Sequence, residues 1–126
     1  MAAVSVRYIV DNVDAAIAFY CDHLAFKLEM HPGPGFAMLS RGDLRLLLNV
    51  PGGPGGASQA TPDGRKPQPS GWNRFQLQVT DLENEIARLR KAGVRFRNEM
   101  VNGIGGKQIL VEDPSGNAIE LFELAA

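Results

Sequence analysis

Glu120 is a carboxylate in the middle of a strand pattern. It lies in EDPSGNAIELFE, residues 112–123, where a turn at Asp113-Pro114-Ser115-Gly116-Asn117 gives way to the alternating run Ala118-Ile119-Glu120-Leu121-Phe122. Alternation puts Glu120 on one strand face with Ala118 and Phe122, and Ile119 and Leu121 on the other. A carboxylate held in a central strand must face a metal ion, a cationic partner or a bound ligand. Two further stretches alternate in the same way. Ser5, Arg7 and Ile9 share a face opposite Val6, Tyr8 and Val10, and Arg74, Gln76 and Gln78 share one opposite Phe75, Leu77 and Val79. If the apolar faces pack under helices, the polar faces line a cavity together with Glu120. In an enzyme, Glu120 would then be the general acid or base, with Arg7 or Arg74 stabilising developing negative charge. An arginine beside a carboxylate favours its ionised form and so weakens it as a base.

The other chemistry-bearing residues are sparse. Trp72 precedes the second alternating stretch, and Met30, Phe36, Met38 and Met100 lie on strand patterns or their ends. A broad indole and flexible methionines suit a pocket for a flat, partly apolar molecule, and equally suit ordinary core or edge packing. His23 falls in a helical pattern and His31 at the end of a strand pattern, places that fit surface or edge roles. The single cysteine, Cys21, cannot form an intramolecular disulfide, which points to a reducing compartment and a cytoplasmic location. In its helical pattern it reads as a small buried hydrophobe.

The elements that must position these groups repeat. Ser5–Val10 alternates and meets Asp11-Asn12-Val13-Asp14, a helix start with Asn12 as cap. Val13, Ile17, Tyr20 and Leu24 form the apolar stripe of that helix, and strand patterns follow at 26–31, 36–40 and 44–49. The same order returns. Residues 74–79 alternate, and Thr80-Asp81-Leu82-Glu83 has capping-box spacing. Leu82, Ile86 and Leu89 make the second stripe, and Gly93 supplies a left-handed cap. Strand patterns then run over 94–100, 107–112 and 118–122. The fold class is α+β, with βαβββ written twice: module one over 4–50, module two over 72–124, in one domain spanning 1–126. Residues 51–71, rich in Pro and Gly, read as a linker with a mobile flap and no packed element.

Composition bounds the partners. Thirteen basic and fourteen acidic residues are well mixed, so charge gives no case for nucleic acid or an anionic membrane. No apolar run approaches the roughly 20 residues of a membrane span, and no signal-peptide pattern opens the chain.

The segments VDNVDAAIAFYCDHLAFKLEM (10–30), VTDLENEIARLRKAGVRF (79–96) and EDPSGNAIELFE (112–123) resemble the vicinal oxygen chelate superfamily, which holds glyoxalase I, extradiol dioxygenases and the fosfomycin- and bleomycin-resistance proteins. Ala25 stands where that family usually has glycine. The resemblance implies eight strands in a partly open, curled sheet around a cavity, commonly completed by a homodimer. It also implies where a metal would sit in metal-dependent members: one His or Gln from the first strand of each module and one carboxylate from each last strand. Here those positions hold Ser5, Arg74, Leu46 or Leu47 depending on register, and Glu120. Arginine has no lone pair to give, and a first-row site needs about three or four protein ligands. The sequence therefore reads as a member without metal or other cofactor, in which Arg74 and Glu120 converge on the vacant point. That pair either plugs the cavity or also orients a ligand.

Two functions follow from the resemblance. One is a dimer that sequesters a small molecule, as the bleomycin-resistance branch does, through Ser5, Arg7, Trp72, Arg74, Gln76, Glu120 and Phe122. The other is a metal-free isomerase, lyase or cyclase using Glu120 as acid or base. A metal-dependent glyoxalase or dioxygenase is disfavoured by the missing ligands.

Overall fold

The computed structural model describes residues 4–126. The chain divides into two compact units, the first ending at Ser70 and the second spanning Gly71–Ala126. Among the described residues they hold two helices and nine strands in two mixed sheets, an α+β arrangement. No helix is long and apolar enough to cross a membrane among these residues.

The first unit contains β1 (Val4–Ile9), α1 (Val13–His23), β2 (Lys27–Gly33), β3 (Phe36–Arg41) and β4 (Leu44–Asn49). Its sheet order is β1-β4-β3-β2. β1 pairs parallel to β4, and the other pairings are antiparallel. Asn12 starts α1 by accepting a hydrogen bond from the Ala15 N–H at 2.9 Å, as a cap should. The buried stripe is Val13, Ala16, Phe19 and Tyr20. Phe19 thus takes the inward place expected of Ile17, because its ring meets Tyr20 edge-on at 5.1 Å. Leu39, Leu46 and Leu48 are fully buried in the same core.

The second unit repeats that order with β5 (Phe75–Gln78), α2 (Leu82–Lys91), β6 (Arg95–Phe96), β7 (Val101–Asn102), β8 (Gly106–Glu112) and β9 (Ala118–Leu124). Its sheet runs β5-β9-β8-β6, with β7 also on β8, and β5 is parallel to β9. Asp81 caps α2 through the Asn84 N–H, and the Glu123 carboxylate accepts from the Leu82 N–H at 2.8 Å. Two carboxylates at the start of a helix complement its dipole. Gly93, at φ 83°, closes α2, and the Val94 N–H returns to the Leu89 carbonyl.

Two expectations change. The strand expected over 94–100 forms only at Arg95–Phe96, and a separate short strand follows at Val101–Asn102, which raises the strand count among the described residues from eight to nine. The cause is Asn98: its side-chain oxygen accepts the Leu110 N–H at 2.9 Å, in place of a backbone partner, and the chain bulges between β6 and β7. The linker 51–71 is also not structureless. Gly56–Ser58 forms one turn of 3-10 helix, and the Gly52 N–H bonds the Ser58 carbonyl at 2.7 Å. Positive φ at Gly52 and Gly55 permits this tight path. Ser58 is completely buried.

Candidate functional site

In the second unit, the parallel pairing sets Gln76 directly across from Glu120. Both side chains leave the same face of the sheet, with Arg74 two residues before Gln76 on that face. Arg74 donates to Glu120 Oε1 through Nε at 3.0 Å and Nη2 at 2.8 Å. Gln76 donates from Nε2 to Glu120 Oε2 at 2.6 Å. Both carboxylate oxygens are therefore occupied, one by a cation and one by a neutral amide. Glu120 is 8% exposed, so most of its solvation has been exchanged for these bonds. The Arg74 side chain keeps 29% exposure, and the pair is wetted on its arginine side rather than dry. Phe122 is half-buried one step along the same face, across from Gln78.

Trp72 is joined to this group by its backbone: its carbonyl accepts from Arg74 Nη1 at 3.3 Å. Trp72 is 71% exposed, and its ring is met by the Arg97 guanidinium at 5.2 Å. Arg97 is a residue that strand alternation did not single out. It pairs with Glu112 at 2.8 Å and donates to the carbonyls of Gly71 and Gly116, each at 2.8 Å. Through these bonds one guanidinium fixes the Trp72 approach and the turn that launches β9. The same turn is held from inside by Asp113, fully buried, whose Oδ1 accepts the Ser115 and Asn117 N–H groups at 2.9 Å. The strand register sets Arg95, not Arg97, opposite Glu112, so pairing alone does not single Arg97 out.

In the first unit the register answers the Leu46/Leu47 question. Arg7 pairs with Leu47, as Gln76 pairs with Glu120. Leu46 points into the core and Leu47 is half-buried on the Arg7 face. Ser5 and Arg7 are both exposed on β1. Arg7 Nη1 donates to Asn49 Oδ1 at 2.5 Å, and Asn49 Nδ2 donates to Ser58 Oγ at 3.5 Å. Among the described residues, Arg7 forms no ion pair. An open cleft of about 380 Å³ lies here, lined by Arg7, Phe36, Asn49 and residues 54–57. Ser58 lies in the stretch expected to hold no packed element, yet it is buried.

The remaining candidates stand apart from both groups. His31 meets Asp14 at 3.6 Å, and His23 stacks edge-on against Phe19 at 5.7 Å. Met30 is exposed on β2, and Met38 is half-buried on β3. Cys21 is half-buried in α1, and burial, followed by the neighbouring Asp22 charge, pushes its thiol above the usual range. A protonated thiol is a poor nucleophile.

The family model described as Glyoxalase/Bleomycin resistance protein/Dioxygenase superfamily matches residues 3–121. The chain belongs to this superfamily. Solved structures with the same fold include a lactoylglutathione lyase from Agrobacterium tumefaciens, at 22% identity and TM-score 0.76, covering 97% of this chain and 92% of that one. Another is TnmS3, an antibiotic binding protein from Streptomyces sp. CB03234, at 23% identity and TM-score 0.74, covering 99% and 97%. A third is TioX from Micromonospora sp. ML1, at 18% identity and TM-score 0.77, covering 99% and 100%. Among curated proteins, none matches the chain in sequence.

By the resemblance, metal ligands would fall at Ser5 and Leu47 in the first unit and at Arg74 and Glu120 in the second. The residues present do not fit such an ion. Leu47 has no donor atom, Ser5 offers a neutral hydroxyl, and Arg74 offers only N–H groups that repel a cation. Glu120 is already charge-matched by the Arg74 guanidinium. Among the described residues, no group of three or more His, Cys, Asp or Glu side chains is placed to hold a metal.

Proposed function

We propose that this superfamily member is a small-molecule-binding protein that works without metal, assembled as a two-fold dimer. The observation that carries the reading is the bonding of Glu120. Where metal-dependent relatives use a carboxylate to hold an ion, this chain holds a guanidinium by two N–H donors and an amide by a third. A divalent ion would have to displace a cation that is already charge-matched there. The same bonding weighs against Glu120 as a general base, since an arginine bonded to a carboxylate favours its ionised form and weakens it as a base. What remains is a polar, preorganised face beside an exposed tryptophan, which suits recognition more than turnover. TnmS3, whose fold this chain shares, is an antibiotic binding protein, and sequestration of an antibiotic or aromatic metabolite is the matching role here.

The test is elemental analysis joined to a thermal-shift screen of the purified protein. We expect well under one zinc, nickel, iron or manganese per chain and no rise in Tm on adding these ions. Aromatic small molecules should raise Tm, because binding to the folded state stabilises it by mass action. A stoichiometric transition metal that resists dialysis would overturn the metal-free reading. An aromatic panel that leaves Tm unchanged would count against binding, and light scattering that gives a monomer would remove the dimer.

A further inference from the structure

The two units treat their strand arginines differently. Arg74 is neutralised by Glu120 at 2.8 Å, whereas Arg7, among the described residues, is held by the neutral side-chain amide of Asn49. Arginine can only donate, so Asn49 must turn its oxygen to Arg7 and its NH2 group to Ser58. Asn49 is 3% exposed and Ser58 is fully buried, so this chain of bonds is anchored in the interior. The guanidinium is thus positioned without being discharged. It stands in the wall of the 380 Å³ cleft, with Phe36 directly across the strands from Asn49 and the Pro54–Ala57 segment on the other side. A fixed positive charge beside an aromatic ring and a proline is complementary to a flat molecule carrying an anionic group.

We infer that the cleft of the first unit takes the anionic group of a small aromatic ligand, with Arg7 as counter-charge and Asn49–Ser58 as its positioning bonds. This deepens the binding function proposed above by naming the ligand class, and it rests on that reading. Ligands of this class carry a carboxylate, phosphonate or phenolate next to a ring. Neutral analogues of the same shape lose the charge-assisted bond and keep only the apolar contact. The preference weakens as salt rises, because the site is open and the charge is screened.

Paired probes test it: 2-naphthoate against its neutral amide, 2-naphthamide, titrated into isotope-labelled full-length protein. The acid should bind at least about tenfold more tightly than the amide and shift the backbone signals of Arg7, Phe36 and Ala57. Arg7→Gln should erase the preference by removing the cation. Asn49→Asp should erase it while keeping the cation, by supplying the carboxylate that Arg7 lacks. If one variant fails to fold, the other decides. Equal affinity for acid and amide, or a preference that survives either folded variant, overturns the anion inference and leaves the binding function standing. If neither probe shifts any signal, the anion inference falls too. The binding function is then judged separately, by the aromatic thermal-shift screen and the metal analysis.

Discussion

The two units share a strand order, a helix placement and a register, yet they satisfy their polar faces by opposite means. Across from Gln76 the second unit places Glu120; across from Arg7 the first places Leu47. In the second unit the carboxylate gathers an arginine and an amide into a closed ion pair. In the first, the amide of Asn49, one strand position further along this face, takes the arginine, and a loop serine takes the amide. Duplicated topology therefore fixes where a polar group can stand and leaves open which group discharges it. One unit is closed on itself electrostatically, and the other keeps a cation to offer.

The largest way to break this comparison is to open the closed side. Glu120→Gln removes the charge that Arg74 answers but keeps shape and an accepting oxygen. Because Arg74 retains 29% side-chain exposure, water takes over part of the lost interaction. The cost should therefore fall below that of a fully dry pair, at about 2 kcal/mol. Adding Arg74→Gln should restore about half of that loss or more, since no lone charge remains. Urea denaturation of the two single variants and the double variant gives the coupling directly. Additive single effects would show that the two charges are neighbours without being partners. If the pair also orients a ligand, the double variant folds and loses affinity in the thermal-shift screen.

A second test sharpens the comparison by writing the second unit's pattern into the first. Leu47→Glu places a carboxylate at the register position opposite Arg7, the equivalent of Glu120 opposite Gln76. Leu47 is half-buried, so the variant loses some apolar burial and gains a partly screened ion pair. The two contributions offset, and the net change should be about 1 kcal/mol of destabilisation by urea denaturation. A loss of several kcal/mol would mean that Leu47 packs as a core residue and that the two faces are not equivalent.

These contrasts were legible in the sequence to different depths. Alternation placed Arg74, Gln76 and Glu120 on shared faces because strand periodicity depends only on residue order. The repeat gave both sheets, because each copy carries its own helix start and its own turn. Hidden were the contacts that depend on side chains replacing backbone. Asn98 breaks a strand by accepting the Leu110 N–H, and Asn49 reaches a serine nine residues on. Such bonds have no periodic signature. Gly/Pro content also misled over 51–59: in this stretch glycines permit a tight packed turn as readily as a loose linker. Arg97 was missed because its partners, Gly71 and Gly116 among them, are backbone carbonyls, which sequence does not display.

The smallest expected effect concerns the helix ends, where the units differ by one residue. α2 ends at Gly93, at φ 83°, which can adopt the left-handed conformation without a Cβ penalty. α1 ends in the same way but with Ala25, held at φ 59°. The conformation persists there because the Phe26 N–H reaches back to the Tyr20 carbonyl at 3.2 Å, and the Phe26 and Tyr20 rings meet at 5.4 Å. Packing of those rings holds alanine where glycine is the easier residue. Ala25→Gly relieves the steric cost of the left-handed residue and adds entropy to the unfolded chain, two effects of opposite sign. Relief is the larger, so the variant should be more stable by about 0.5 kcal/mol. The reciprocal change, Gly93→Ala, should destabilise by about 1 kcal/mol, because no comparable aromatic pair spans that turn. Paired urea midpoints on the two variants measure both. If Ala25→Gly instead destabilises, α1 is capped by its aromatic packing alone, and the two helix ends, unlike the two sheets, do not follow one rule.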